Sequence, residues 1–330
     1  MEDAKLPALA QALNRDGVRA DLSSLLNEDS NGNRQLSSEF RQRVLKHKPG
    51  KHCVIQYWLK STNGSPQEKT VIGKLYRDNR GEKRYSDMKM LWQTARRTNL
   101  NCLEFGMPKP LAFLESLGMV VQEVVPGKLF FEFTANNDLS KAVALIAKNL
   151  AVLHRLPVSR GEPKLIAQHI EKYCRPGPEK LKAAYPELAE KVERILSALN
   201  TAQPLQTAPL CPAHGDLGLA QIFMHDTRAY FIDFDGFCQT HPALDAGNFL
   251  IALKTYHQSR FAELEKTFIN SYLEINSPEM LNGLQFYKAF AYLRRATICF
   301  RKYQQQDRKE KIETLLNASI IEIENDKLMI

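Results

Sequence analysis

Long apolar runs are missing from this 330-residue chain. None approaches the roughly 20 residues that a membrane span needs, which argues against an integral helical membrane protein. The opening Met1-Glu2-Asp3-Ala4-Lys5 lacks the basic-then-apolar pattern of a secretion signal, so the expected location is the cytoplasm. Cys-x-x-Cys spacing is absent: Cys53, Cys102, Cys174, Cys211, Cys238 and Cys299 are scattered, which predicts reduced thiols and neither a disulfide frame nor a zinc site. There is no internal repeat and no Gly-x-Gly-x-x-Gly. Basic residues are not interleaved with aromatic ones, and no reading helix stands out, so a nucleic-acid role is not indicated.

What is present fits a globular chain large enough for two lobes. Hydrophobic residues make up 44% and charged ones 25%. The net charge of +8 is uneven. Residues 41–100 hold fifteen Lys and Arg against Glu68, Asp78, Glu82 and Asp87, whereas residues 245–330 hold twelve bases against eleven acids. A solvated cationic face explains most of that surplus; attraction of a polyphosphate is the functional alternative.

The chain is organised around His214–Phe249. His214-Gly215-Asp216 puts a carboxylate on a glycine-containing loop, and Gln221 follows where Ile222-Phe223 open a strand. His225-Asp226-Thr227-Arg228 reads as a hairpin turn and Ala229–Phe234 as the returning strand. Pairing would bring Gln221 near Asp233, with Asp216 on the loop before them. An amide oxygen and a carboxylate beside a lone acid suit Mg2+, which leaves positions for phosphate oxygens. In phosphoryl transfer the protein mostly positions groups and neutralises charge. Asp216 would take the proton of an attacking hydroxyl, while Gln221 and Asp233 would hold the metal. His214 reads as structural, Asp235 as a turn acid or second metal contact, and Asp245 as an acceptor for the catalytic loop's hydrogen bonds.

His-Gly-Asp or Ile-Asp-Phe alone is more often an ordinary turn. Their joint spacing, with Asp245-Ala246-Gly247-Asn248 beyond, resembles the aminoglycoside phosphotransferase and choline kinase superfamily of small-molecule kinases. Members typically show His-x-Asp-x4-Asn, then Ile-Asp-[Phe/Trp/Leu], then Asp-x-Gly-Asn or Asp-Leu-Ala. This chain departs at one point: Gln221 stands for the Asn, one methylene longer with the same amide oxygen. The resemblance implies an α+β, protein-kinase-like fold with a small antiparallel amino lobe and a mainly helical carboxy lobe.

On that basis residues 1–40 are a polar lead-in, a short helix and then an irregular stretch with a loop at Asn27–Asn33, residues 41–126 a nucleotide-binding lobe, and residues 127–330 the catalytic and acceptor-binding lobe. Strands are expected at Cys53–Leu59 and Thr70–Tyr76, separated by a turn at Ser61–Pro66. Lys74 stands in the apolar third strand, where an unpaired ammonium would be costly. It is expected to meet the nucleotide phosphates and an acid on the helix Gly81–Arg97, Asp87 rather than Glu82. Lys48 and Gly50 belong to the loop that would cover the phosphates. The resemblance assigns the adenine edge to main-chain groups at Glu123 and Val125. A helix over Leu139–Leu153, capped by Asn137 or Asp138, two more in 164–200 and further helices over 245–325 complete the chain, with Leu284, Tyr287, Phe290, Ala291 and Arg294 on one packed helix.

The sequence thus points to an ATP- and Mg2+-dependent kinase acting on a hydroxyl of a sugar, amino alcohol or antibiotic-like molecule. A nucleotide-binding pseudokinase serving as regulatory scaffold is the rival reading, supported by Gln221 and the lysine-rich loop. A weaker third is a binder of acidic polymers through residues 41–100.

Overall fold

The computed structural model describes residues 2–26, 39–60, 68–78, 80–98, 105–134, 138–201, 210–302 and 307–327. The loop expected at Asn27–Asn33 and the turn at Ser61–Pro66 lie outside them. The chain forms two compact units, residues 1–97 with 106–126, and residues 98–105 with 127–330.

The first unit is built on β1 (Glu39–Lys48), β2 (His52–Lys60), β3 (Glu68–Tyr76), β4 (Pro110–Leu114) and β5 (Met119–Glu123), an antiparallel sheet in the order β1-β2-β3-β5-β4. Period-2 alternation sends Cys53, Ile55, Tyr57 and Leu59 of β2 to one face, with Val71 and Leu75 of β3 beside them. Two helices, α1 (Leu9–Ala12) and α2 (Arg15–Leu26), close that face: Leu6, Leu9, Ala12, Val18 and Leu22 are buried in its core, and the Tyr57 hydroxyl donates to the Ala12 carbonyl at 3.0 Å. The short helix expected in this stretch is two helices, and most of their larger apolar side chains pack on the sheet. Ile72 and Lys74 point to the opposite face, and α3 (Arg80–Arg97) packs on β4 and β5.

The second unit opens with β6 (Lys128–Leu129) and α4 (Phe130–Thr134). It continues through α5 (Leu139–Arg155), α6 (Ile166–Tyr173), α7 (Pro178–Ala184) and α8 (Ala189–Thr201). Asp138 caps α5, accepting from the Ser140 and Lys141 amides. Then come β7 (Cys211–Ala213), β8 (Ile222–His225), β9 (Arg228–Phe231) and β10 (Cys238–Thr240). Four helices follow: α9 (Ala243–Tyr256), α10 (Phe261–Leu273), α11 (Leu284–Lys302) and α12 (Arg308–Lys327). β6, β8 and β9 form one small sheet, β7 and β10 another. Helix α9 is buried along most of its length, packed against α11, and α11 packs in turn on α12. The described cysteines form no disulfide. No described helix is long and apolar enough to cross a membrane.

This is the protein-kinase-like architecture: a five-stranded antiparallel N-terminal sheet and a mostly helical remainder.

Candidate active site

The loop after β7 is fixed by one buried carboxylate. β7 pairs antiparallel with β10, Ala213 opposite Cys238, and the chain leaves the ladder at His214. Gly215 takes φ +74°, and a Cβ there would sit 2.4 Å from the Gly236 carbonyl, so no other residue fits. Asp245, in the first turn of α9 and fully buried, accepts from the His214 amide at 2.6 Å and the Gly215 amide at 2.9 Å. Its Oδ2 also lies 3.5 Å from His154 Nε2, whose other ring nitrogen meets the Tyr272 hydroxyl at 2.7 Å. Burial by itself would raise the Asp245 carboxyl. The His154 bond, the pull of both histidines and the His214 amide outweigh it and hold the group below its ordinary value. Charged hydrogen bonds of this kind contribute about 1.5–3 kcal/mol each.

Asp216 projects from this clamped loop. Its neighbours Gly215 and Leu217 are buried while its own side chain is 33% exposed. Its Oδ1 accepts from Arg294 Nη2 of α11, and Arg294 Nη1 donates to Asn248 Oδ1 at 3.1 Å. Asn248 lies three residues after Asp245 on α9, one turn along the same face. One turn of α9 therefore sets both the loop that carries Asp216 and the arginine that contacts it. Gly247 makes this possible: a Cβ there would meet Tyr287 and Lys288 backbone at 2.8–3.0 Å, so α9 and α11 touch main chain to main chain. By its spacing Arg294 belongs with the packing residues Phe290 and Ala291, which gives no sign of its contact with Asp216.

The hairpin brings Gln221 beside the residues around Asp233. Ile222 pairs with Phe231, and the Ile232 amide donates to the Gln221 carbonyl at 3.0 Å. Two details differ from expectation. Gln221 ends a short 3-10 turn ahead of β8, and β9 stops at Phe231, short of Phe234. The chain leaves the strand and turns left-handed at Asp233, φ +68° and ψ 58°, a conformation uncommon outside glycine that Asp and Asn adopt more readily than most residues. Asp226 at the hairpin tip is also left-handed, φ +51°, which Asp tolerates in a tight turn. His214 Nε2 donates to the Ile232 carbonyl at 2.9 Å, and its ring stands 4.9 Å from that of Phe234. The residue two before Asp216 is thus tied to the one before Asp233. Among the described residues no three His, Cys, Asp or Glu gather as a metal cluster. The donor set is one amide and one carboxylate, both partly exposed, which fits Mg2+ with its remaining positions left to phosphates and water. Asp235 is half-buried, and its carbonyl accepts from Lys172 at 3.4 Å.

In the first unit Lys74 lies mid-strand between Val54 and Val120, its ammonium 5.1 Å from the centre of the Tyr76 ring. Of the two acids weighed for it, Asp87 is 1% exposed, with Lys83 at 3.4 Å and Arg84 at 3.6 Å, whereas Glu82 is exposed. The Glu123 amide donates to the Lys109 carbonyl at 2.9 Å, so a nucleotide contact there must use the Glu123 carbonyl; Val125 follows two residues on, beyond β5. Lys48 ends β1, and its carbonyl accepts from Lys51 at 3.0 Å across a turn in which Gly50 takes φ +66°. The Gly50 amide donates to Asp3 Oδ2 at 2.8 Å, and His47 Nε2 contacts the same oxygen at 2.9 Å. That amide meets a phosphate only if Asp3 lets go.

Comparison with known proteins defines the class. Residues 56–287 match the model of the phosphotransferase enzyme family, and the chain belongs to that family. No curated protein matches the sequence. Among solved structures, the chain is similar to a choline kinase from Cryptosporidium parvum Iowa II (13% identity, TM-score 0.62, 94% of this chain and 96% of that one). It is also similar to an ethanolamine kinase from Plasmodium vivax (18%, 0.55, 85% and 82%). A third is the amicoumacin kinase hAmiN in complex with AMP-PNP, Ca2+ and Ami (14%, 0.60, 84% and 87%). At such identities the likeness is one of fold.

Proposed function

We propose that this phosphotransferase moves the γ-phosphoryl group of ATP onto a hydroxyl of a small molecule. The observation that carries the reading is the Asp245 clamp, which grips two consecutive loop amides and presents Asp216 half-exposed at the end of a buried turn. Asp216 accepts the proton as the acceptor oxygen forms its bond to phosphorus, and ADP leaves with the pair from the broken P–O bond. Gln221 and Asp233 would hold Mg2+, which neutralises charge on the phosphate oxygens. Lys74 binds the α- and β-phosphates, with Asp87 as its orienting acid. The Glu123 carbonyl and Val125 amide meet the adenine edge, and Lys48 with Gly50 borders the phosphates once Asp3 is displaced. Nucleotide use is also supported by the AMP-PNP and Ca2+ in the structure of hAmiN.

Release of ADP by the purified protein, assayed over a panel of hydroxylated compounds with and without magnesium, tests the reading. Turnover with some acceptor that stops on adding EDTA is expected, with Gln221→Ala and Asp233→Ala each raising the magnesium required. The pseudokinase alternative gains from Arg294, whose guanidinium neutralises Asp216. It requires ATP binding with no turnover on any acceptor.

A further inference from the structure

Three buried donors near Asp216 have no hydrogen-bond partner among the described residues. Besides Nη2 on Asp216 and Nη1 on Asn248, Arg294 has a buried Nε with no hydrogen-bond partner among the described residues. Its guanidinium packs against the Tyr173 ring, 4.9 Å from the centroid. The Tyr173 hydroxyl is itself buried without a partner. It lies beside the catalytic loop: the place of a Cβ on Gly236 is 2.9 Å from this hydroxyl and 3.0 Å from Asp216 Cβ. Asn248 Nδ2 is a third buried donor with no partner, its orientation fixed because Oδ1 must face Arg294. Buried donors left over in a native structure call for an explanation, and three meeting around one guanidinium share one: an anion completes them. Lys172 extends the positive side, its ammonium 4.7 Å from the centre of the Tyr173 ring. Burial is the main cause that disfavours protonation of His169; buried Asp245 favours it, and Lys164, Lys172 and Arg294 each oppose it.

We propose that the acceptor is an acid: a small hydroxylated molecule bearing a carboxylate or phosphate that Arg294 receives, with Tyr173 and Asn248 as further donors. The inference rests on the phosphotransferase reading for the word acceptor, but the anion site stands on its own geometry. Arg294 holds the Asp216 oxygen that an incoming hydroxyl needs. An anionic substituent draws the guanidinium off that oxygen, so binding the correct substrate frees the base. A cationic amino alcohol offers the arginine nothing and is repelled by it. Arg294 is then the residue that determines specificity.

The test uses the full chain and three-carbon acceptors differing only in charge: glycerate, glycerol 3-phosphate, glycerol and 3-amino-1,2-propanediol, with gluconate, glucose and glucosamine as a longer series. ADP release is read with ATP and magnesium, and binding of each compound without nucleotide is read by calorimetry. The expected result is kcat/KM at least tenfold higher for an acid than for its neutral or cationic partner. The carboxylate and phosphate arms tell which anion is preferred. Arg294→Met is expected to remove that preference mainly through KM, and Arg294→Lys to restore part of it. Higher turnover with the amino alcohols overturns the inference and leaves the phosphotransferase reading standing. Acids that bind the wild type, with no turnover of these or of any compound in the hydroxyl panel, support the anion site and count against the phosphotransferase reading. If neither acid series binds or is turned over by the wild-type protein, the anion site is wrong, whether or not the variants fold.

Discussion

Asp216 stands on a loop whose two preceding amides are gripped by Asp245. Replacing Asp245 with Ala leaves two buried amides without an acceptor and removes a partner of His154, a loss of about 3 kcal/mol or more in unfolding free energy. Chemical denaturation checks it; a change below about 1 kcal/mol would mean the loop is held by something else. Histidine residues give the second expectation. Burial pushes His169 and His241 down from 6.5 to about 4, so both stay neutral in the native state where the unfolded chain is already charged. The unfolded state then binds more protons as pH falls from 6.5 to 4, and stability is lost across that window, by up to about 3 kcal/mol per residue. His169→Phe keeps the stacked contact with Tyr173, 5.9 Å between ring centres, and should flatten part of the slope seen in denaturation at pH 7 and pH 5. An unaltered slope would contradict the assignment.

At the level of elements, α9 and α11 carry the account. Gly247→Ala drives a methyl into the Tyr287–Lys288 backbone, which can move only if α11 moves, and α11 carries Arg294. A loss of about 1–3 kcal/mol is expected, measured as a lower Tm, together with weaker binding of the acceptor. Ala at this position with an unchanged Tm would show that the helices are not in the contact described. Much of this level was legible in the sequence. β2 and β3 announce themselves by alternation, α5 by its apolar stripe and Asp138 cap, and the loop and hairpin by the joint spacing of Asp216, Gln221 and Asp233. What was not legible has physical reasons. β9 ends early and the backbone turns left-handed at Asp233, which no side-chain pattern reports. Arg294 sits 78 residues after Asp216, at a spacing that equally describes core packing. A short helix was legible in residues 1–40, but its division into α1 and α2 and their packing on the sheet were not, because these contacts join residues far apart in sequence.

For the molecule as a whole, the family match, the five-stranded N-terminal sheet and the helical second unit establish a phosphotransferase with a kinase-like fold. The chemistry proposed within it depends on Asp216 acting as the proton acceptor. That dependence is tested most directly by the rate of phosphoryl transfer from ATP to an accepted hydroxyl compound, with the phosphoester product identified by phosphorus NMR. Wild type and Asp216→Asn would be compared at equal nucleotide occupancy. A fall of about 10²–10⁴-fold in kcat is expected for the Asn variant, with ATP affinity and Tm little changed. Transfer by Asp216→Asn within a few-fold of wild type would contradict it.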